Sequence, residues 1–403
     1  MNATALRPGS WNIEPETLSE ALEARRWMHR HPEVALQEHE TTEFIAGKLT
    51  DWGIDIIDTA SHPLPGAQRA EPLATGIIAD IQGSKGPGST LALRADIDGL
   101  PIHEDPGQPY ASVNPGVMHA CGHDLHTASL LGAARELAQH KDEFRGTVRL
   151  LFQPAEEAEL GAQKVLASGW LEGVDQIVGY HNHPGLPIGT VGISPKPIMS
   201  GNYRFDVVLH GRGAHGSRPD EASDPIAAFT AISAQLQTLV GRSVPALQPA
   251  VLSITQVQAG SAWNAIPDQL EFHGTVRAFD NDVAELIHHR VEDTVHSVAA
   301  TFGVRADVDW TVRAAPIKND ATLALTLAAD AQSYANVVDP EPSMGADDFA
   351  DYQQTGIPGV FAFVGSNGSS DAAGWHTPNY SGLEDMLPYA IQYYLHAVSV
   401  VLG

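Results

Sequence analysis

The sequence predicts an α/β protein in which a helix-covered, mostly parallel sheet is interrupted by a smaller inserted domain. At both ends of the chain, short apolar runs typical of buried strands alternate with segments of helical apolar spacing. Such alternation favours a parallel sheet covered by helices. The middle of the chain instead shows the order β-α-β-β-α-β, which is that of a ferredoxin-like unit. The length of 403 residues also fits two domains better than one.

The elements of the first domain follow from apolar spacing. Residues 18–29 have helical spacing that stops before Pro32, and residues 125–138 form a second helical stretch rich in Ala and Leu. A closing helix is predicted over residues 387–402. The predicted strands of this domain are residues 76–81, 90–95, 147–152, 176–179 and 359–364.

The inserted domain begins with residues 203–209, which alternate as a half-buried strand. A helix over residues 224–240 opens with Asp224-Pro225, because Asp is a good N-cap residue and Pro suits the first helical position. The remaining elements are strands at 251–258 and 269–279, a long helix at 281–302 and a strand at 306–312. We therefore predict an inserted domain at residues 198–313 and a discontinuous α/β domain at residues 1–197 and 314–403.

Composition excludes several classes of function. The 49 acidic and 23 basic residues give a net charge of −26, which leaves no electropositive surface for nucleic acid or an anionic membrane. No run approaches the roughly 20 apolar residues of a membrane span, and residues 1–10 lack the features of a secretory signal. The single cysteine, Cys121, cannot form an internal disulfide, so we expect a cytoplasmic protein.

Side chains that bind metals follow the predicted strands. Sites in open α/β sheets form outside the carboxyl ends of the strands, so these side chains are expected to converge on one edge. Cys121 and His123 add the thiolate and imidazole that a borderline-soft divalent metal prefers. Together, these donors predict a two-metal hydrolase. The side chains that follow strands are Asp96, Asp98, Glu156, Glu157, His181 and His376.

The pair Glu156-Glu157 and the lone Cys121 also have ordinary interpretations. Adjacent carboxylates usually form a solvated acidic turn, and a lone buried cysteine is usually structural. Beside other metal donors, however, one carboxylate can bind a metal while the other takes a proton from the metal-activated water. The presence of the other donors therefore favours the catalytic interpretation.

Several histidines compete for a place in the site. His29 and His31, near the end of the first helix, favour surface or capping roles, and His126 favours a place in the core or behind the ligands. His183 competes with His181 as a ligand. His181 is preferred because it directly follows the predicted strand.

Three blocks of the sequence resemble a known family. The runs RADIDGLP at 94–101, MHACGHDLH at 118–126 and QPAEE at 153–157 are similar to those of the M20 metallopeptidase family. They match its amidohydrolase branch, which includes aminoacylase, hippurate hydrolase and auxin-conjugate hydrolase relatives. The resemblance extends from residue 26 to residue 380. It implies metal-dependent hydrolysis of the amide bond of an N-acyl amino acid, which releases a carboxylic acid and a free amino acid.

The same resemblance implies a metal centre with two divalent ions, which would be Zn, Mn, Co or Ni. Glu156 would act as the general base, and Asp96 and Asp98 would support the site from the end of a strand. A bridging thiolate or water would be shared by the two ions. The implied metal ligands are Cys121, His123, Glu157, His181 and His376.

The inserted domain would be the lid and dimerisation domain of the family, so a homodimer is implied. His215 would stabilise the tetrahedral oxyanion, often in the site of the partner subunit. Asn264 would contact the small N-acyl amino acid substrate, and Arg277 would clamp its carboxylate. Without the resemblance, His215 and Asn264 are ordinary turn residues and Arg277 is a solvated strand residue.

The sequence departs from the usual pattern of the family at two positions, and two alternative functions are considered. Asp347 stands where the family usually has Glu, so its contacts would be rearranged or water-bridged, and His183 is an extra histidine. A dipeptidase or carboxypeptidase on the same scaffold is one alternative. A non-enzymatic binding protein with a degraded site is the other, but the intact ligand set and Glu156 argue against it.

Overall fold

The computed structural model describes residues 11–59, 73–105, 107–380 and 382–403. The N-terminal residues 1–10 and the Pro/Gly-rich segment 61–66 lie outside the described residues. The chain divides into two compact units. One unit takes the described residues of Met1–Lys196 together with Lys318–Glu341 and Asp348–Gly403, and the other takes Pro197–Ile317 and Pro342–Asp347.

Capping residues account for the starts of several helices. Asp224 accepts the backbone N–H of Ile226 at 2.8 Å, and Asp320 accepts that of Leu323 at 2.8 Å. Over the residues described, no helix is both long enough and apolar enough to cross a membrane. In chain order the helices are α1 Pro15–Arg30, α2 His39–Asp51, α3 His123–Gln139, α4 Gly161–Ala167, α5 Pro225–Ser243, α6 Asn281–Thr301, α7 Ala321–Ala331, α8 Phe349–Gln354 and α9 Leu387–Leu402.

The strands of the described residues form one large sheet and three smaller ones. The large sheet has eight strands, and a four-stranded sheet belongs to the second unit. In chain order the strands are β1 Asp55–Thr59, β2 Ile77–Gln82, β3 Thr90–Asp96, β4 Thr147–Gln153, β5 Gln176–Pro187, β6 Thr190–Gly192, β7 Pro197–Met199, β8 Gly201–His210, β9 Ala214–His215, β10 Ala250–Ala259, β11 Ala265–Ile266, β12 Gln269–Ala278, β13 Arg305–Ala314, β14 Ile317–Lys318, β15 Asn336–Val338 and β16 Gly359–Asn367.

The large sheet has the strand order β1-β2-β4-β3-β5-β16-β6-β15. The four central strands β4, β3, β5 and β16 are parallel to one another, whereas β1, β2 and β4 pair antiparallel and β16 pairs antiparallel with β6. Nearly every residue of β3 and β16 is buried, as expected of strands covered by helices. The predicted α/β class with a mostly parallel sheet is confirmed.

Close helix packing builds the core against this sheet. Gly132 of α3 shows how closely the helices approach, because a Cβ atom there would lie 2.6 Å from the Cδ1 atom of Ile391 in α9. Leu131 and Ala134 of α3 and Ile391 are fully buried in the same apolar cluster. This packing fixes α3, whose first residue is His123, against the sheet.

The second unit contains the predicted order of elements. Its sheet has the order β10-β12-β8-β13 with antiparallel neighbours, and α5 and α6 are the intervening helices. This is the ferredoxin-like arrangement that the order β-α-β-β-α-β predicts. Alternate residues of β8 are buried in a core shared with both helices. The buried apolar side chains of β8 are those of Tyr203, Phe205, Val207 and Leu209.

Some elements were not predicted, and the reasons are local. Helix α2 buries Thr41 and Thr42 beside Ile45 and Leu49, so its core face lacks a clear apolar period. Strand β5 continues to Pro187, beyond the predicted end at residue 179, although Pro and Gly usually break a strand. The short strands β6 and β15 were also missed.

Candidate metal centre

The side chains of the larger unit that are predicted to form the site lie at the carboxyl-terminal edge of the large sheet. Strands β3, β4, β5 and β16 are parallel neighbours, so the segments that leave them emerge on the same side. The start of α3 reaches the same edge. The segments carry Asp96 at the end of β3, Glu156 and Glu157 after β4, His181 in β5, His376 after β16, and Cys121 and His123 at the start of α3.

The turn after β4 presents Glu156 and Glu157. Ala155 has a φ of 57°, in the left-handed region that residues other than glycine rarely adopt. Its backbone N–H donates to Glu38 Oε1 at 2.9 Å. The next two backbone N–H groups donate to the Asp98 carboxylate, from Glu156 to Oδ1 at 3.2 Å and from Glu157 to Oδ2 at 3.0 Å. Two buried carboxylates therefore hold this strained turn in place.

Two groups of possible ligands share the Cys121 thiol. In one group, Cys121 Sγ lies 3.4 Å from His181 Nε2, and His123 completes the set. In the other, His376 Nε2 lies 3.4 Å from Glu157 Oε2, and Cys121 completes the set. The ligand atoms of each group lie within 4.8 Å of one another. The Cys121 thiol could therefore serve as a ligand in either group.

Unpaired polar atoms show that the site fits a metal. His123 Nε2 and Glu157 Oε1 are buried, lie 3.8 Å apart and have no hydrogen-bond partner among the described residues. Buried polar atoms are otherwise nearly always paired. The Nδ1–H groups of His123 and His181 donate to backbone carbonyls at 2.9 and 2.8 Å, which leaves each Nε2 available. Sulfur, nitrogen and oxygen donors of this kind suit a divalent transition metal.

Several ionisable groups of this site have strongly shifted pKa values. Burial, helped by the charge of Glu157, raises the pKa of the Cys121 thiol well above its usual range. Burial also raises the pKa of Glu157 to about 7, although His123 opposes this shift. Burial acts to lower the pKa of His123, but Asp96 and Asp98 outweigh it and raise that pKa to about 10. Metal binding must therefore displace protons from these groups.

Asp96 forms hydrogen bonds with two neighbouring side chains that are not among the proposed metal ligands. Its Oδ1 atom lies 2.6 Å from His126 Nδ1, and Arg94 Nη1 donates to Oδ2 at 2.7 Å. All three side chains are buried. His126 accepts the backbone N–H of Asn182 at its Nε2 atom, so its proton lies on the side of Asp96. Asp96 and His126 thus have the geometry of supporting residues.

The structure corrects the expectation for His29. This side chain is 2% exposed, and its ring nitrogens contact Asp124 at 2.8 Å and Glu104 at 3.1 Å. The prediction of a surface or capping role was wrong because the histidine charge is compensated by two carboxylates that are distant in sequence. His31 does occupy the C-cap position of α1.

The predicted substrate-binding residues lie in the second unit. His215 of β9 pairs with Ala265 of β11, and Asn264 lies in the turn immediately before β11, so the exposed side chains of His215 and Asn264 lie on or next to the same two-stranded ribbon. The backbone N–H of Ser217 donates to His215 Nδ1 at 3.2 Å. The imidazole proton therefore lies on Nε2, which can donate to an oxyanion. Arg277 lies half-buried on β12.

Comparison with known proteins places the chain in a family. Residues 92–399 match the model of Peptidase family M20/M25/M40. The chain is 42% identical over 383 residues to an N-acetylcysteine deacetylase of Bacillus subtilis, covering 94% of this chain and 96% of that protein. It is 35% identical over 363 residues to thermostable carboxypeptidase 2 of Saccharolobus solfataricus, covering 89% of this chain and 88% of that protein.

A solved structure agrees with these matches. A Bacillus subtilis protein described as a dinuclear metal binding peptidase from the M20 family superposes with a TM-score of 0.84 at 40% identity. The superposition covers 96% of this chain and 99% of the other. The resemblance inferred from the sequence blocks is thereby confirmed. The chain belongs to Peptidase family M20/M25/M40.

Proposed function

We propose that this protein is a metal-dependent amidohydrolase that cleaves the amide bond of N-acyl amino acids to give a carboxylic acid and a free amino acid. The observation that carries the proposal is the pair of ligand groups that share Cys121. The similarity to an N-acetylcysteine deacetylase supports an N-acyl amino acid as substrate. It also favours a small acyl group such as acetyl.

Five side chains would hold two divalent ions. When bound, such ions polarise the amide carbonyl and lower the pKa of water. Cysteine, histidine and carboxylate donors suit zinc, while manganese, cobalt and nickel are further candidates for this donor set. The five side chains are Cys121, His123, Glu157, His181 and His376.

Glu156 is the proposed general base. Its Oε2 atom lies 3.8 Å from His123 Nε2, so the carboxylate is close to the ligands. It would take the proton of the attacking water and then deliver it to the leaving amine. The Nε2–H group of His215 would donate to the oxyanion of the tetrahedral intermediate. Asn264 would contact the substrate, and Arg277 would bind its carboxylate.

The assembly and location are also proposals. The inserted domain at residues 198–313 would join two copies of the chain, and His215 would serve the site of the second copy. A dimer mass in solution scattering is the expected result, and a monomer would contradict both statements. The excess of acidic residues supports a protein without nucleic acid or membrane partners, and the lone cysteine supports a cytoplasmic location.

The peptidase alternative is supported by the similarity to a carboxypeptidase. The decisive experiment measures release of free amino acid by metal-loaded protein from acetyl, long-chain acyl, benzoyl and indoleacetyl amino acids, with the matching dipeptides alongside. N-acetylcysteine belongs among the acetyl substrates. Release from the acylated compounds is expected. Release from dipeptides alone would establish the peptidase instead, and no release from either class would contradict both functions.

A further inference from the structure

The side-chain amide of Asn182 connects several segments of the candidate metal centre. Asn182 directly follows His181 in β5, and it is fully buried. Its Nδ2 group donates to the backbone carbonyl of Cys121 at 2.7 Å and lies 3.0 Å from His126 Nε2. The amide thus joins the strand that carries one proposed ligand to the loop that carries another.

The oxygen of the same amide contacts the segment around His376. Asn182 Oδ1 accepts the hydroxyl of Tyr380 in a short hydrogen bond. Trp375 Nε1–H also approaches it at 3.4 Å, and the hydroxyl of Ser366 at 3.3 Å. Trp375 and Tyr380 lie on either side of His376 in sequence. One side chain therefore contacts segments that carry three of the five proposed ligands.

Only an amide satisfies this set of neighbours. A backbone carbonyl can only accept a hydrogen bond, and an indole N–H can only donate one. The Cys121 carbonyl therefore requires the nitrogen of Asn182, and Trp375 requires the oxygen. A carboxylate of the same shape would place an oxygen against the Cys121 carbonyl, and an aliphatic side chain would leave buried polar groups unpaired.

Gly122 makes the close approach of the amide possible. This glycine lies between the proposed ligands Cys121 and His123 and has a φ of 90°. A Cβ atom there would lie 2.4 Å from Asn182 Nδ2 and 2.7 Å from the Tyr380 hydroxyl. The backbone of the ligand loop is therefore in direct contact with the amide.

We propose that Asn182 is a positioning residue that holds the segments of Cys121, His181 and His376 in the arrangement that binds metal. The proposal rests on the ligand set given under the proposed function. Partners that orient metal ligands typically account for about 10- to 100-fold in metal affinity. Asn182→Ala should therefore weaken metal binding by at least about tenfold although no ligand is removed.

The test is titration of metal-free protein with Co²⁺, followed through the thiolate-to-cobalt absorption band and through competition with a chelator. The unmodified protein should show the band, and its absence there would contradict the ligand set itself. Asn182→Ala should bind Co²⁺ more weakly and with an altered band. Asn182→Asp keeps the size of the side chain but adds a negative charge. If only charge mattered, Asn182→Asp would strengthen metal binding, whereas a positioning role predicts that Asn182→Asp weakens metal binding.

Asn319 offers a matched control. It is buried, donates to the carbonyls of Ser194 and Phe361 at 2.9 Å each, and accepts the Phe361 N–H at 2.8 Å. Asn319→Ala should lower the melting temperature, as Asn182→Ala should, but leave cobalt affinity and the absorption band unchanged. Equal losses of affinity in both variants, or unchanged cobalt binding in Asn182→Ala and Asn182→Asp, would overturn the proposal.

Discussion

The Glu38 carboxylate accepts the backbone N–H of Ala155 at 2.9 Å, at the left-handed residue that precedes Glu156 and Glu157. Its other oxygen accepts the Thr75 hydroxyl at 2.6 Å. Burial, helped by the charge of Asp98, raises the pKa of Glu38 to about 7. Support for the turn that carries Glu156 and Glu157 therefore comes from a carboxyl group whose pKa of about 7 lies near neutral pH.

We predict that Glu38 makes the stability of the metal-free protein depend on pH. The folded protein keeps the Glu38 proton up to pH of about 7, whereas the unfolded chain releases it near the ordinary value of 4.5. The contribution of protonated Glu38 to the free energy of unfolding is therefore fully present below pH 4.5, and it is lost as the pH rises towards 7. The loss amounts to about 3 kcal/mol in the free energy of unfolding.

Glu38→Gln tests this dependence, because glutamine stays neutral and still offers an acceptor to Ala155. The variant should gain about 3 kcal/mol relative to the unmodified protein between pH 4.5 and pH 8, measured by urea unfolding with a chelator present. Glu40→Gln, at an exposed glutamate two residues away, is the control and should show no such gain. If the difference between Glu38→Gln and the unmodified protein were the same at both pH values, the prediction would be wrong.

Substitution of Glu156 should remove activity, whereas substitution of Glu157 should remove bound metal. Glu156→Gln should keep both metal ions and lose turnover by about 10²- to 10⁴-fold, because a positioned general base contributes on that scale. Glu157→Gln should instead lose metal, since its oxygen belongs to the group with Cys121 and His376. Metal content by elemental analysis and amino acid release by the same samples check both statements. An active Glu156→Gln variant would refute the base assignment.

The position of the candidate site at one edge of the sheet could be predicted, because the end of a strand can be recognised from the local sequence. Asp96, Glu156 and Glu157 follow apolar runs, and parallel neighbours bring such ends together whatever the details of packing. The ferredoxin-like order of elements could likewise be predicted, because apolar and polar residues alternate clearly in β8 and Asp224 caps α5. Family resemblance was needed for His215 and Asn264, whose sequence context is that of a simple turn.

Other features depend on contacts that the sequence does not reveal. Asn182 contacts Tyr380 across 198 positions of sequence, and His29 contacts Asp124 across 95. No periodicity links residues so far apart. The local signal at Asn182 was limited to its place next to a proposed ligand in a mostly buried strand. Glu38 gave no signal, because its role depends on the left-handed backbone at Ala155.

If two ions share the Cys121 thiol, replacing this thiol should weaken the binding of both ions. Cys121→Ser keeps the size and polarity of the side chain but replaces a soft sulfur ligand by a poorly ionised hydroxyl. We expect the affinity for zinc to fall by at least about tenfold and the bound metal to fall below two ions per chain. Calorimetric titration with zinc measures both quantities. Unchanged affinity and stoichiometry would show that the thiol is not a ligand.

The choice between His181 and His183 can be settled by a pair of variants. His181 Nε2 lies 3.4 Å from Cys121 Sγ, whereas His183 belongs to none of the possible metal groups within the described ranges. His183 Nδ1 instead accepts the N–H of Gly185 at 3.1 Å. Both rings pack against Trp375, with ring centroids at 4.7 and 5.3 Å, so both alanine variants lose a contact with this tryptophan.

Only His181→Ala should therefore lose metal, whereas His183→Ala should bind zinc as the unmodified protein does. Calorimetric titration with zinc compares the two, and thermal unfolding with a chelator shows whether the packing losses are similar. Loss of metal in His183→Ala with normal binding in His181→Ala would reverse the assignment. Because the two residues differ in contact with the thiol but share the tryptophan, the pair separates ligation from packing.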